Sequence, residues 1–325
     1  MSKCTVLVSA PYMIPVLDRF RPLFDHYDIE LIVPPVEERM EAAELLALAG
    51  QFDGAITGDD RFNAEVLAAC APRLKVISKW GTGIDSIDQD AAKKLGIKVR
   101  NTPGAFTHAV ADSVMSYILA FARQTPWLDR NLKNGGWGKF PGRALRECSL
   151  GVIGVGAIGK AVLRRTQPFG MRLLGNDIID IDQEFVAEVA VEMLPLEELL
   201  AQADFVSLNC TLNPTSQHIL NAETIALLKP GVVVINTARG PLIEEPALVA
   251  ALQEGHIAGA GLDVFEDEPL PLDSPLRSMQ QVLIAPHNSN SSPEAWENVH
   301  WNTIRNLLDG LAIPHADLKP EDYPA

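Results

Sequence analysis

The sequence predicts an α/β protein built as two doubly wound parallel-sheet domains with a cleft between them. Three observations predict it. Short apolar runs alternate with segments of helical spacing through the first hundred residues, the pattern of a parallel sheet covered by helices. A second alternation begins near residue 148 and opens on a glycine fingerprint, Gly154-Val-Gly156-Ala-Ile-Gly159. Between the two stands a breaker cluster, Asn101-Thr-Pro-Gly104, which reads as a crossover between domains.

In order, residues 5–9 and 29–33 read as strands, 38–49 as a helix, 54–57 as a strand, 64–69 as a helix, 75–78 as a strand, 91–95 as a helix and 97–100 as a strand. Past the crossover, 109–124 is a long, mostly apolar helix. The glycine-rich stretch 134–142 is a loop that leads to the strand 148–153. After the fingerprint come a helix over 160–165 and a strand over 171–176. Further strands read at 205–208, 232–235, 259–262 and 282–285, with helices at 196–201, 222–228 and 247–254. Residues 292–311 read as a helix, and 314–325 show no strong pattern. The domains are therefore expected at 1–101 plus 288–325 and at 102–287.

Composition narrows the function. A chain of 325 residues, 47% of them apolar, is ample for two cores. A net charge of −15 argues against general binding to nucleic acid or to anionic membranes. The four cysteines, Cys4, Cys70, Cys148 and Cys210, lack metal or redox spacing and are expected reduced. No metal site is expected. The N-terminus does not read as a signal peptide, and no apolar run approaches the ~20 residues of a membrane span, so a cytoplasmic location is expected.

The fingerprint carries the first chemistry. It sits between a strand and a helix, and Asp177 stands eighteen residues past Gly159 at the end of the next strand. That context makes a Rossmann-like dinucleotide site. Gly154 permits the tight turn, Gly156 lets backbone approach the pyrophosphate, and Gly159 lets helix and strand pack. The helix N-terminus offers amide hydrogens to the phosphates. Asp177 would accept from the adenosine ribose hydroxyls and repel a 2′-phosphate, with only Ile178 and Ile179 after it, so NAD is expected over NADP. Three further polar groups follow strands: Arg239 in Asn236-Thr-Ala-Arg239-Gly, Glu268 in Asp263-Val-Phe-Glu-Asp-Glu268-Pro, and His287 after Pro286. Strand ends of an open sheet face one crevice, so these can meet.

These segments, with Gly81-Thr-Gly-Ile-Asp85 and Asn101-Thr-Pro-Gly104, resemble the NAD-dependent D-isomer specific 2-hydroxyacid dehydrogenases from about residue 75 to 290. The glycine–threonine–glycine segment is most similar to the phosphoglycerate dehydrogenase branch, without a C-terminal regulatory domain. The resemblance implies Rossmann-like/flavodoxin-like domains and a hydride transfer with a small anionic 2-hydroxy or 2-oxo acid. It implies that Arg239 binds the carboxylate and polarises the carbonyl, that His287 is the general acid/base, and that Glu268 bonds it. Asp263 would orient the nicotinamide amide, with Thr237 and Ala238 lining the pocket, Ala157 and Ile158 at the phosphates, and Cys210 and Thr211 at the adenine. Backbone around Trp80, Gly81, Thr82 and Gly83 would hold the substrate. A homodimer follows by the same analogy.

Three segments depart from the family pattern. Ala157 replaces a common arginine, Asn209-Cys210-Thr211 replaces the usual adenine-side segment, and Asn288-Ser289-Asn290 lacks a glycine two positions after the histidine. Lys79 reads two ways, as a partner for a distal phosphate or second carboxylate, or as a solvated lysine; Trp80 reads as pocket wall or core. The substrate best matching the branch is 3-phosphoglycerate. Alternatives are a glyoxylate or hydroxypyruvate reductase, and an NAD-sensing co-repressor-like binding protein.

Overall fold

The structure, a computed structural model, describes residues 4–323. The ends of the expected domain segments 1–101 and 288–325, at 1–3 and 324–325, lie outside the described residues. The chain divides into two compact units, Met1–Phe106 with Ser292–Ala325, and Thr107–Ser291.

In the first unit five parallel strands, β1 (Cys4–Val8), β2 (Ile29–Ile32), β3 (Gly54–Thr57), β4 (Val76–Lys79) and β5 (Lys98–Arg100), lie in the order β2-β1-β3-β4-β5. β3 and β4 are buried along their whole length, because helices cover both faces of a parallel sheet. The intervening helices are α1 (Leu17–His26), α2 (Ala42–Ala47), α3 (Ala64–Cys70) and α4 (Gln89–Lys94). The C-terminal helix Pro293–Gly310 returns to this sheet. Ser292 caps it, Val299, Ile304, Leu307 and Leu308 are buried, and Ser78 Oγ donates to the Thr303 carbonyl at 2.7 Å.

In the second unit seven parallel strands lie in the order β12-β11-β10-β9-β6-β7-β8. They are β6 (Ser149–Ile153), β7 (Arg172–Asn176), β8 (Glu192–Met193), β9 (Phe205–Leu208), β10 (Val232–Asn236), β11 (Ile257–Leu262) and β12 (Val282–Ile284). The helices are α5 (Thr107–Arg123), α6 (Thr125–Lys133), α7 (Ala157–Thr166), α8 (Gln183–Val189), α9 (Leu196–Gln202), α10 (Ala222–Ala226) and α11 (Glu245–Glu254). β10 shows how one strand feeds two cores. Val232 and Val234 join the cluster containing Leu199, Leu248 and Leu252, whereas Val233 and Ile235 join the one containing Val114, Ile118 and Val162. Side chains alternate faces along a strand, so each face supplies its own core.

At the amino edge of this sheet, the Asp204 carboxylate accepts from Ser149 N (2.8 Å), Ser149 Oγ (2.9 Å), Arg143 (2.9 Å) and Lys229 (2.8 Å). Burial alone would raise this carboxyl; its four donors outweigh burial and hold it far below the usual carboxylate range.

Five elements differ from the sequence expectation, one of them the two-residue strand β8, which was not expected. The helix expected over 38–49 is α2 alone, started by a capping box of Glu41 and Glu44. The helices α1, α6 and α8 were not expected. In α1, Pro22 interrupts the pattern, but Leu17, Phe20, Leu23 and Phe24 bury one face and hold the helix despite the lost donor. α6 is a nine-residue helix that buries no residue fully and holds to α5 through Trp127, whose ring packs on Phe121.

Candidate active site

The glycine loop follows β6. Gly154 has φ +90, and its N–H donates to the Asn176 carbonyl at 2.8 Å. A side-chain carbon on Gly154 would collide with the backbone of Cys210, and one on Gly159 with the Gly154 carbonyl. A carbon on Gly156 would meet nothing within 4 Å, leaving open the space a pyrophosphate needs. Gly156 is the N-cap of α7 and supplies no side-chain bond, so the first-turn N–H groups at Ala157 and Ile158 have no cap from it.

Asp177 stands at the end of β7. One carboxylate oxygen accepts from Val155 N at 2.7 Å and the other from Ile179 N at 3.2 Å. The acid is thereby fixed against the glycine loop. Ile178, 84% exposed, lies beside it. After β9, burial pushes the Cys210 thiol up to about 11, so it is uncharged at neutral pH. Thr211 is exposed, and its carbonyl accepts from Ser216 Oγ at 2.6 Å. Asn209 Oδ1 and Thr237 Oγ1 are buried without a hydrogen-bond partner among the described residues. Both lie at carboxyl ends of strands, at β9 and β10. Orphaned polar atoms beside an open glycine cradle fit a dinucleotide.

Arg239 follows β10 in a turn braced by Asn236. Asn236 Oδ1 accepts from Ala238 N at 3.1 Å, and its Nδ2 donates to the Arg239 carbonyl at 2.8 Å. Arg239 donates to the Ala238 carbonyl at 2.9 Å. Next in the sheet, after β11, Asp263 carries the loop of His287. The Asp263 carbonyl accepts from His287 N at 2.7 Å, and its two carboxylate oxygens accept from Asn288 N and Ser289 N, both at 2.8 Å. The resemblance aims Asp263 at the nicotinamide; here both its oxygens brace the histidine loop. His287 itself has φ +50, a strained backbone for a residue with a side chain. Its Nδ1 lies 3.0 Å from Glu268 Oε2, while Glu268 Oε1 accepts from Phe265 N at 3.0 Å. Strand ends of β10, β11 and β12, which are neighbours, thus present Arg239, Glu268 and His287 along one edge.

In the first unit, Lys79 ends β4. It is 4% exposed and lies 3.1 Å from Asp59, so it is not a solvated lysine. Trp80 is core. Its ring packs on Tyr12, Phe106 and Trp296, and Nε1 donates to His300 Nδ1 at 3.0 Å. Burial pushes His300 down to about 4, so it stays neutral and able to accept. The Gly81 carbonyl accepts from Thr102 N and Oγ1, both at 2.9 Å, and Thr82 Oγ1 donates to the Thr102 carbonyl at 3.0 Å. The breaker cluster is therefore what ties down Gly81 and Thr82 ahead of Gly83.

Two groups escaped the sequence reading. Asp59 pairs with Lys79 from twenty residues away. Glu266 lies 2.7 Å from His218 and accepts from Glu245 N at 3.2 Å, tying the start of α11 and the segment at His218 to the Glu268 loop. Position within the acidic run 266–268 was the available signal for Glu266; no local signal marks Asp59.

The NAD binding domain of the D-isomer specific 2-hydroxyacid dehydrogenases matches residues 115–289. A glyoxylate reductase of Korarchaeum cryptofilum is 40% identical over 77% of this chain and 76% of that protein. The D-3-phosphoglycerate dehydrogenase of Mycobacterium tuberculosis strain H37Rv is 35% identical over 95% of this chain, which spans 59% of that protein. The D-lactate dehydrogenase of Aquifex aeolicus, solved with NAD and lactic acid, superposes with a TM-score of 0.82 at 26% identity, covering 96% of this chain and all of that one. The chain belongs to the D-isomer specific 2-hydroxyacid dehydrogenase family.

Proposed function

We propose that this NAD-dependent family member interconverts a short D-2-hydroxy acid and its 2-oxo acid, with the glyoxylate–hydroxypyruvate class as the preferred substrate. The observation that carries it is the 3.0 Å pair of His287 and Glu268 beside the Arg239 strand end. Bound NADH supplies the hydride for the carbonyl carbon. Arg239 pairs with the substrate carboxylate and polarises the carbonyl. His287 Nδ1 is committed to Glu268, so its Nε2 gives the proton to the carbonyl oxygen as the hydroxyl forms. The Glu268 carboxylate favours the imidazolium before transfer and fixes the ring. In oxidation the same nitrogen takes the proton back. Thr237, Ala238, Cys210, Thr211 and the glycine loop hold the cofactor, and Asp177 selects NAD over NADP by repelling a 2′-phosphate.

Two facts support the short substrate. Lys79, the cation a distal phosphate would need, is paired with Asp59. The glyoxylate reductase relative is matched over most of its length. A second reading, 3-phosphoglycerate, is favoured by Gly81-Thr-Gly-Ile-Asp85 and by the phosphoglycerate dehydrogenase relatives. The Arg239, Glu268 and His287 set favours turnover over a purely NAD-sensing role. A cytoplasmic homodimer completes the proposal. Support comes from four free cysteines and from exposed Leu132, Phe140 and Trp137, the last 89% exposed. No helix among the described residues is long and apolar enough to cross a membrane.

A panel of glyoxylate, hydroxypyruvate, pyruvate and phosphohydroxypyruvate, each assayed with NADH and NADPH, tests the reading. The expected result is highest kcat/KM for a short acid with NADH. Preference for phosphohydroxypyruvate would transfer the assignment to the second reading.

A further inference from the structure

We propose that His218 and Glu266 are positioning residues for the hydride transfer: together they clamp the Phe265–Glu266 peptide against Gly240 and so fix the Arg239 turn relative to the Glu268 loop. The inference rests on the roles given above to Arg239, Glu268 and His287, and all of its residues belong to the second unit.

The two segments part from neighbouring strands. Asn236 of β10 is in register with Leu262 of β11, and Asp263 N donates to the Asn236 carbonyl at 2.9 Å as the last rung between them. Past that rung they meet again. A side-chain carbon on Gly240 would collide with the Phe265 carbonyl and with Glu266 N, so the turn after Arg239 and the loop before Glu268 touch backbone on backbone. The same peptide anchors the acid. Phe265 N donates to Glu268 Oε1 at 3.0 Å, and Glu268 Oε2 lies 3.0 Å from His287 Nδ1. A shift of the Phe265–Glu266 peptide would therefore move the support of Glu268 and the wall behind Arg239 at once.

Glu266 is what holds that peptide. Its Oε2 accepts from Glu245 N at 3.2 Å, and its own N–H donates to Glu245 Oε2 at 3.4 Å. Glu245 is the first residue of α11, so the Glu266 carboxylate sits at the positive end of that helix. Its Oε1 lies 2.7 Å from His218 Nε2. His218 arrives from a third segment that is tied to the Arg239 side by backbone. His218 N donates to the Pro241 carbonyl at 2.8 Å, and Leu220 N to the Leu242 carbonyl at 3.1 Å. Its main chain thus belongs to the turn that follows Arg239, while its ring reaches the loop that carries Glu268. His218 also holds φ +50. A left-handed backbone at a residue with a side chain persists where the surroundings over-determine it, and such residues gather at working sites.

The test measures reduction of glyoxylate and hydroxypyruvate with NADH, beside NADH affinity and melting temperature. His218→Asn tolerates the left-handed backbone, but its shorter amide does not reach Glu266. It is expected to lower kcat/KM for both acids by about tenfold, the size of a small misplacement of reacting groups. NADH affinity should stay close to wild type. The isotope effect from NADH deuterated at the transferred position should be no smaller than in wild type, because the loss falls on hydride transfer. His218→Gln puts an amide nitrogen where Nε2 stands and should recover most of the rate. Glu266→Gln keeps the side chain's shape without its charge and should show the same pattern at about threefold. Wild-type kcat/KM in either His218→Asn or Glu266→Gln overturns the clamp, and the second variant carries the test by itself if the first does not fold. So does NADH affinity that falls in step with the rate, a smaller isotope effect, or a glutamine at 218 no better than asparagine. A wild type that reduces no 2-oxo acid overturns the functional reading itself, and the clamp with it.

Discussion

The two edges of the seven-stranded sheet are made by the same strands and are chemically opposite. At the amino edge, Asp204 closes four hydrogen bonds on Ser149, Arg143 and Lys229. At the carboxyl edge, Thr237 Oγ1 and Asn209 Oδ1 have no partner among the described residues, α7 lacks a side-chain cap, and His287 holds a left-handed backbone. One edge satisfies itself; the other is left for a ligand to complete. The difference teaches that stability and chemistry are assigned to opposite ends of strands only four or five residues long, so each can be altered separately.

The sharpest way to break this comparison is His287→Ala. It should lower kcat by on the order of 10²–10⁴-fold while the melting temperature and NADH affinity stay close to wild type. A variant that instead melts early would show that the carboxyl edge also carries stability. The reciprocal change, Asp204→Ala, leaves Ser149 N–H buried without its acceptor and should cost about 2–3 kcal/mol in urea unfolding, with NADH affinity retained. Its pH dependence has a definite sign. A carboxyl held low in the folded state contributes fully above its unfolded value, near pH 4, and the contribution fades as pH falls through the folded value. The stability gap between wild type and Asp204→Ala should thus be full at pH 7 and narrow below about pH 4. Asp177→Asn should narrow the NAD over NADP preference by on the order of tenfold in kcat/KM, since one charge at the 2′ position is removed. Glu268→Gln is the mildest. NADH binding should persist, and the alkaline limb of the reduction profile should move to lower pH. An unmoved limb would reduce Glu268 to a brace for the Phe265 N–H.

What could be read in the sequence is what local spacing encodes. The β6–glycine loop–α7–β7–Asp177 unit is contiguous; Gly159 is required by the loop itself and Gly154 by the segment that follows β9, while Gly156 faces open space. The helix expected over 292–311 is found at Pro293–Gly310 because its cap, its proline and its apolar face all agree. α1 was hidden because its proline outvotes a short apolar face in any local reading, whereas tertiary burial decides the fold. The expected site residues at strand ends were visible because each follows an apolar run. Their partners were not. Asp59 reaches Lys79 only through the pairing of β3 with β4, and Asp263 reaches residues 288 and 289 only through the return of the chain beyond β12. Pairings of this kind are products of register, which periodicity does not specify.

The way Asp263 holds the histidine loop has a consequence for variation. Its carboxylate grips amide hydrogens, and every residue type except proline offers one. Ser289 needs no glycine because its own φ is not among the positive ones; the left-handed step falls on His287. Asn288-Ser289-Asn290 can therefore stand where relatives carry other residues without loosening the acid/base. The grip therefore excludes only proline at two adjacent positions beside the reacting centre, and at buried Ser289 the surroundings limit the size of the side chain as well, next to a histidine that must not move.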